Sequence, residues 1–487
     1  MRLATLLAGA ELDAAGTPPG QLVGDLDATE ITGITCDSQA VTPGTLYCCV
    51  PGGRFDGHDF APAAVAAGAA ALLCQRVLAV AVPQVVVADA RRAIGPLAAA
   101  LYGHPSREMT VVAVTGTNGK TTTTHLLEAI FTAGGWPAAS IGTLSGTRTT
   151  PEAPVLQDTL AGFRDEGRVA VAMEVSSHAL VQHRVDGTWF AAAVFTNLTQ
   201  DHLDYHATME EYFAAKARLF EPGRAALAVV NADDPWGARL LEQLRSPAAG
   251  GSRRPVVPFS LGELEDLTIS PDGSRFRWRG ADVRLHLGGR FNVRNALAAA
   301  TAAAALGIDL PAIVAGLEQV VAVRGRFEPV RAGQPFTVLV DYAHTPDGLE
   351  QALTSARELV GSNGRLIVVF GAGGDRDRAK RPLMGSVASS LADLAFLTSD
   401  NPRSEDPGAI ITEVASGSNG KGQLEIEIDR EAAIGEALAT AKPQDVVVIA
   451  GKGHELVQEI GGHAVAFDDA AVAHGALVAL GRRRGTW

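Results

Sequence analysis

The stretch Thr110-Val-Val-Ala-Val-Thr-Gly116-Thr-Asn-Gly-Lys120-Thr-Thr122 decides how this chain is read. Thr110–Val114 is an apolar, β-branched run of the kind buried inside a parallel sheet. It leads directly into Gly116, Thr117, Asn118, Gly119, Lys120, Thr121 and Thr122, and an apolar-periodic helix is expected over Thr123–Ala133. Glycines let backbone N–H groups turn inward around phosphate oxygens. Lys120 supplies a point charge for the β- and γ-phosphates, and the helix N-terminus adds the positive end of its dipole. The Thr121 hydroxyl is placed to meet Mg²⁺. The pattern is a shortened form of Gly-x-x-x-x-Gly-Lys-[Ser/Thr], set between a strand and a helix as that loop requires. It specifies a nucleotide but does not choose among ATPase, kinase, switch and ligase.

Further apolar runs follow at Val169–Met173, Ala191–Phe195 and Ala226–Val230, alternating with helical stretches. That alternation predicts βαβ units and a parallel sheet. Arg275–Leu287 reads as a small antiparallel hairpin, and Pro247–Pro258 as a loop. Beyond Arg324 a second doubly wound sheet is expected, with strands at Thr337–Val340, Leu366–Phe370, Leu394–Thr398 and Val446–Ala450. Before the phosphate loop, short strands at Gly44–Val50, Ala70–Cys74 and Val85–Val87 precede a linker at Gly103-His104-Pro105. The fold class is therefore α/β. Three domains are expected for 487 residues: 1–105, a central P-loop parallel-sheet ATPase domain over 106–325, and a Rossmann-like domain over 326–487.

A formal charge of −13 argues against a general nucleic-acid binder, which needs concentrated Lys and Arg. Cys36, Cys48, Cys49 and Cys74 form no Cys-x-x-Cys pair and have no clustered His, so zinc and a disulfide framework are not expected. The short apolar start before Glu11 makes a poor signal peptide, and no run approaches the ~20 apolar residues of a membrane span. A cytoplasmic, membrane-free protein with reduced thiols is the expectation.

Two strand ends downstream are rich in polar groups. Glu174 closes the run at Val169–Met173 and becomes a candidate Mg²⁺ ligand, because open α/β sheets bind ligands at the carboxyl ends of their strands. His202, in Thr196-Asn-Leu-Thr-Gln-Asp-His-Leu-Asp-Tyr-His206, is a candidate for a second metal, against the plainer role of a hydrogen-bonded histidine. Lys216 lies at helical spacing from Tyr212, Phe213 and Phe220, and by itself reads as a stem covering apolar surface with its ammonium in water.

Taken in order, these segments resemble the Mur ligase family, which builds the UDP-MurNAc peptide precursor of bacterial cell wall. The resemblance extends through Gly289-Arg-Phe-Asn-Val-Arg-Asn295, Arg324-Gly-Arg-Phe-Glu328, Asp341-Tyr-Ala-His-Thr-Pro346, Gly371-Ala-Gly-Gly-Asp-Arg376, Ser399-Asp-Asn-Pro-Arg403 and Gly451-Lys-Gly-His-Glu455, and so spans nearly the whole chain. It implies an ATP-dependent, ADP-forming ligase that adds a diamino acid to the D-Glu γ-carboxylate of UDP-MurNAc-L-Ala-D-Glu through an acyl phosphate. It implies that Cys36, Ser38 and Gly53-Arg54-Phe55 meet the uridine nucleotide. Thr149, Thr150, Ser176, Gln182 and Arg184 would hold the muramoyl dipeptide, and Asn295, Arg326, Asp341 and His344 would stand around ATP. Gln39 and Arg148 depart from the family's usual Arg and Asn.

By the same resemblance Lys216 is carbamylated by CO₂, and the carbamate helps position Mg²⁺ together with Thr121, Glu174 and His202. The tetrapeptide Asp400-Asn401-Pro402-Arg403 implies diaminopimelate as the amine, because Arg grips a second carboxylate with two parallel hydrogen bonds. Arg376, Gly451 and Glu455 complete that expected pocket. A monomer is expected, with no partner beyond its substrates. A lysine-adding or folylpolyglutamate-type ligase, or a P-loop nucleotide switch, are the alternatives.

Overall fold

The computed structural model describes the chain apart from residues 11, 13–18, 54, 147, 204, 247–253, 271–272 and 485–487. Its described strands fall into three larger sheets, each covered by helices. The first contains Pro19–Val23, Gln84–Val87, Ala69–Cys74, Thr45–Cys48 and Gly33–Thr35 in that spatial order, with only the pairing of the first two antiparallel. Gly103 and His104 both take the left-handed conformation where the chain leaves this block, and a turn over Pro105–Arg107 follows.

The second sheet is wholly parallel. Its order is Val256–Phe259, Ala228–Asn231, Ala192–Phe195, Thr110–Thr115, Ala170–Glu174 and Ala138–Ile141. Strands added after Thr110–Thr115 first go to one side and then to the other. The crevice between Thr110–Thr115 and Ala192–Phe195 is thus a topological switch point, where open α/β sheets bind ligands. The inner strands Thr110–Thr115, Ala170–Glu174, Ala192–Phe195 and Ala228–Asn231 are buried, and apolar side chains from both faces feed two large clusters beneath the covering helices.

Several boundaries depart from the sequence reading. The helix after the loop starts at Lys120, not Thr123; the apolar period begins only at Leu126, and the buried threonines of the first turn hide its start. Val256–Phe259 is an edge strand where a loop was expected; Pro258 is tolerated because an edge strand has one side without ladder partners. The hairpin is a three-stranded antiparallel sheet, Glu265–Ser270, Gly273–Trp278 and Ala281–Leu285; the added first strand is short of apolar residues, with only Leu267 and Ile269 half-buried along it.

The third sheet has the order Glu328–Pro329, Thr337–Asp341, Val446–Ala450, Leu366–Phe370, Leu394–Leu397 and Gln423–Ile426, parallel except at its first pair. The carboxyl ends of four neighbouring strands therefore deliver Asp341, Gly451, Gly371 and Asp400 to one edge, although up to 110 residues separate them in sequence. Among the described residues no helix is long and apolar enough to cross a membrane.

Candidate active site

The phosphate loop is tied down before any ligand enters it. Gly116 and Gly119 have φ of 153° and 86°. A Cβ at Gly116 would overlap Thr196 Oγ1, and one at Gly119 would overlap Asn295 Oδ1, so both glycines admit close neighbours as well as phosphates. Asn118 N–H donates to Asn197 Oδ1 at 2.9 Å, and Thr199 N–H donates to Thr117 Oγ1 at 3.0 Å. Asn197 and Thr199 follow the adjacent strand Ala192–Phe195, so the switch point itself braces the loop.

Two ammonium groups converge on one carbonyl. Lys120 Nζ donates to the carbonyls of Gly116 (2.9 Å) and Thr117 (2.8 Å), and Lys216 Nζ donates to Gly116 at 2.8 Å. Lys216 is 1% exposed and lies 4.6 Å from the centre of the Tyr212 ring. The plain reading of a lysine with its ammonium in water is therefore incorrect. The helix Met209–Ala217 turns it inward, onto the loop. Burial, reinforced by the charge of Lys120, pushes its pKa well below the usual lysine value, and burial lowers Lys120 as well.

Glu174 is buried at the end of its strand, with its carboxylate accepting from Thr143 N–H (2.8 Å) and Thr143 hydroxyl (3.2 Å). His202 has φ 54°, and its Nε2 is 3.3 Å from Asp201 Oδ2. Burial lowers His202 to about 4 against the opposing pull of Asp201, so the ring is neutral at pH 7. Among the described residues no group of three or more His, Cys, Asp or Glu is arranged around a metal position.

The third sheet reaches across to this loop. Arg326 Nη2 donates to Thr121 Oγ1 at 3.1 Å, and its guanidinium lies 4.7 Å over the Tyr342 ring. Asp347 Oδ2 accepts from Asn118 Nδ2 (3.0 Å) and Thr199 Oγ1 (2.6 Å). Asp341 Oδ2 accepts from Phe327 N–H at 2.7 Å, and burial raises its carboxyl to about 6. Together these elements enclose a cleft lined by Thr117–Thr122, Glu174, Asn295, Arg326, Asp341 and His344.

A second cavity adjoins the first along Asp201, His202, Tyr342, His344 and Thr345, which line both. Its far wall holds Arg376, Asp400, Asn401, Arg403, Gly451 and Glu455. Arg403 adopts φ 53°, donates from Nη1 to the Gly374 carbonyl at 2.7 Å, and sits 3.0 Å from Glu459 through Nε. Pro402 packs its carbonyl against Gly374, where a Cβ would overlap. Asn401 Nδ2 donates to Glu455 Oε2 at 2.6 Å. Lys452, fully buried, bonds both Asn401 Oδ1 (3.1 Å) and Glu455 (3.3 Å). Asp400 Oδ2 is buried without a partner among the described residues.

Thr150, Ser176, Gln182 and Arg184 form one connected group. Thr150 Oγ1 donates to the Glu174 carbonyl (3.0 Å) and accepts from Ser176 N–H (3.0 Å). Arg184 donates to the Thr150 carbonyl (3.1 Å) and to Gln182 Oε1 (2.6 Å). Thr149 Oγ1 lies 3.1 Å from Thr143 Oγ1 and lines the first cleft. Cys36, Ser38, Gly53 and Phe55 lie apart from these cavities, on loops of the first sheet; Phe55 is 71% exposed, and Arg54 lies outside the described residues.

Sequence reasoning missed Asp201, Tyr342, Asp347, Lys380 and Lys452. Lys380 lines the second cavity and donates to the His344 carbonyl at 2.9 Å. Its neighbour Arg381 is buried between Glu405 (2.7 Å) and Glu413 (2.7 Å), which signals that this helix start is structurally fixed. Lys452, between Gly451 and Gly453, was the legible one: a lysine flanked by glycines at a strand end has the space to fold inward.

Comparison with known proteins agrees with this architecture. Residues 30–102 match the Mur ligase family catalytic domain, 114–303 the Mur ligase middle domain, and 325–453 the Mur ligase glutamate ligase domain. The UDP-N-acetylmuramoyl-L-alanyl-D-glutamate–2,6-diaminopimelate ligase of Geobacillus kaustophilus is 46% identical over 92% of this chain and 95% of its own. The ligase of the same name from Gloeobacter violaceus is 46% identical over 98% of both chains. A solved structure of a ligase of that name superposes with a TM-score of 0.67 at 34% identity, covering 94% of this chain and 96% of the other. The Thermotoga maritima MurF ligase in complex with ADP shares the fold, with a TM-score of 0.63 at 20% identity over 93% of this chain and 97% of that one. The chain belongs to the Mur ligase family.

Proposed function

We propose that this chain is an ATP-dependent, ADP-forming ligase that joins 2,6-diaminopimelate to the D-Glu γ-carboxylate of UDP-MurNAc-L-Ala-D-Glu, a step of peptidoglycan precursor synthesis. One observation carries the reading: the phosphate-loop cleft and the Asp400–Arg403 cavity adjoin, with Asp201, His202, Tyr342, His344 and Thr345 lining both, which sets the sites for a phosphorylated acid and an attacking amine side by side. The relatives' names support the substrates.

The D-Glu carboxylate attacks the γ-phosphorus of ATP, and ADP leaves. Lys120 and the loop amides hold the phosphates, and Lys120 exchanges its carbonyl partners for phosphate oxygens. Asn295, Arg326, Asp341 and His344 enclose the nucleotide. Because Arg326 spans from the third sheet to Thr121, its contact couples closure of the cleft to filling of the loop, which excludes water from the acyl phosphate. The amine then adds to the acyl carbon, and phosphate departs from the tetrahedral intermediate. Thr149, Thr150, Ser176, Gln182 and Arg184 hold the muramoyl dipeptide, while Cys36, Ser38 and Gly53–Phe55 meet the uridine end.

Mg²⁺ fits this site. Among the described residues the site offers the buried Glu174 carboxylate and the Thr121 hydroxyl and not a full cage, as suits a cation that takes one or two carboxylates plus substrate phosphates. Thr121, Glu174, neutral His202 and a carbamate on Lys216 would hold it, and when bound it neutralises charge on the transferring phosphoryl group. Carbamylation is chemically favoured here. The depressed pKa of Lys216 leaves a neutral amine able to attack CO₂; the nitrogen gives up a proton to solvent, and the product sets an anion beside the Lys120 ammonium.

On the amine side, Arg403 takes the distal carboxylate, with Arg376, Asp400, Asn401, Pro402, Gly451 and Glu455 shaping the pocket. We also divide the chain into domains 1–105, 106–325 and 326–487, a division supported by one larger sheet in each.

The test is a product assay by mass, with UDP-MurNAc-L-Ala-D-Glu, ATP, Mg²⁺ and each candidate diamino acid in turn. Amide product with diaminopimelate, and little with lysine, is expected. Product with lysine alone, or ATP hydrolysis with no amide, would overturn the proposal.

A further inference from the structure

The four cysteines form two cross-strand pairs that sequence spacing hides. In the first sheet, Gly33–Thr35 runs parallel to Thr45–Cys48 with Thr35 opposite Tyr47, and this register carried one step further, just past the strand end, sets Cys36 against Cys48. On its other side the same strand faces Ala69–Cys74 with Cys48 opposite Leu73, and this register carried one step further sets Cys49 against Cys74. Side chains alternate along a strand, so the pairs occupy opposite faces. Cys36 and Cys48 belong to the apolar cluster with Ile34, Leu46 and Leu73, whereas Cys49 and Cys74 belong to the cluster with Tyr47 and Leu72.

In-register residues of neighbouring strands have Cα atoms about 4.8 Å apart. That lies inside the ~4.4–6.8 Å window of disulfides. All four thiols are free in the structure. Only Cys36 is partly exposed; Cys48, Cys49 and Cys74 are buried. Access therefore distinguishes the two pairs, since an oxidant reaches Cys36 and neither member of the second pair.

We propose that Cys36 and Cys48 form a reversible disulfide under peroxide, making the first sheet a redox-sensitive element of this enzyme. The Cys36 thiolate attacks a peroxide oxygen, the O–O bond breaks, and the protein gains a sulfenic acid while the other oxygen leaves as water. The Cys48 sulfur then attacks the Cys36 sulfur, the S–O bond breaks, hydroxide departs with the Cys48 proton as a second water, and the S–S bond forms. Two thiols are oxidised by two electrons and one peroxide is reduced. A thiol–disulfide reductant reverses the change, as befits the transient disulfides of reducing compartments. Burial and the neighbouring Cys36 hold the Cys48 thiol well above its usual pKa, which makes it the slower, second partner.

The consequence for catalysis rests on the reading above that Cys36 and Ser38 meet the uridine nucleotide. A disulfide brings Cβ atoms to about 3.8 Å, roughly 1 Å closer than the strand spacing. Cys36 lies just past the end of its strand, and Asp37 caps the turn Ser38–Ala40 directly after it. The pull is thus taken up by the turn that carries Ser38. An increase of about tenfold in KM for the UDP substrate is expected, the size of one lost hydrogen bond.

The experiment treats the whole purified protein with hydrogen peroxide, alkylates remaining thiols under denaturing conditions, digests, and maps peptides by mass. The expected product is a peptide joining Cys36 to Cys48, lighter by two hydrogens and released by dithiothreitol, with Cys49 and Cys74 alkylated. Absence of that peptide, or preferential linkage of Cys49 to Cys74, overturns the proposal. Cys48→Ala must abolish the link and leave a sulfenic acid trappable by dimedone; Cys36→Ser abolishes it from the exposed side, should the Cys48 variant not fold. A link that forms without moving KM supports the disulfide and refutes its coupling to substrate. The link is read by mass alone, so it is scored even if the enzyme proves to act on another substrate.

Discussion

Replacing Arg403 by Ala tests the selection of the amino acid most directly. Of the five guanidinium N–H donors, one Nη1 hydrogen is held by the Gly374 carbonyl and Nε faces Glu459. Three donors remain for a ligand, enough for a two-pronged grip on one carboxylate. A charge-assisted hydrogen bond contributes about 1.5–3 kcal/mol. The Arg403 side chain is 24% exposed, so part of that interaction is returned to solvent. A net loss of about 2–3 kcal/mol follows, equivalent to a rise of roughly 30- to 150-fold in KM for diaminopimelate. The KM for ATP should stay within about twofold, since Arg403 lies beyond the wall shared by the two cavities. Arg403→Lys should recover little, because an ammonium cannot span both carboxylate oxygens while also reaching Gly374. The assay is phosphate release at saturating UDP-MurNAc-L-Ala-D-Glu, with each co-substrate varied in turn. A diaminopimelate KM within threefold of the parent value, or equal loss for both co-substrates, would refute the assignment of the distal carboxylate to Arg403.

Three other perturbations follow from the same geometry. Incubation with carbon-13 bicarbonate should label a carbamate carbon visible by NMR, and Lys216→Met should erase that signal and reduce turnover by at least about a hundredfold; an unchanged spectrum in the variant would exclude Lys216 as its source. Burial raises Asp341 to about 6, above the ~4 of a free carboxyl, so the folded state retains a proton that the unfolded chain has lost between these values. Its contribution to stability is full below about pH 4 and lost as pH rises through 6; Asp341→Asn, compared by urea midpoints across that interval, should therefore gain stability relative to the parent as pH rises. Arg430 and Asp469 are both fully buried and paired at 2.7 Å, and Arg430 also holds the carbonyl of Ala450 beside Gly451. Asp469→Asn should lower unfolding free energy by about 3–5 kcal/mol and weaken amino-acid binding with it, read by denaturant titration and KM together.

Much of the active site was legible because its motifs are local. A buried strand, a Gly-x-x-Gly-Lys-Thr turn and a helix within about two dozen residues specify phosphate binding, and the turn glycines admit the backbone conformations it needs. The edge strand Val256–Phe259 was not legible, because a Pro inside a short run signals a loop until the neighbouring strand is known. Lys216 shows the same limit more sharply. Helical spacing says which face a lysine shares, but not whether that face looks to water or to a phosphate loop.

The sequence by itself determined the α/β class, the order of the sheets and the chemical identity of the groups available for catalysis, because hydrophobic period and turn chemistry act over a few residues. Only the tertiary structure decided which distant groups meet. It set Lys216 against Lys120 at the carbonyl of Gly116, Arg326 against Thr121, and Cys36 against Cys48. These juxtapositions depend on strand order, register and the angle between packed sheets, which arise from burying apolar faces across the whole chain and leave no mark in local spacing.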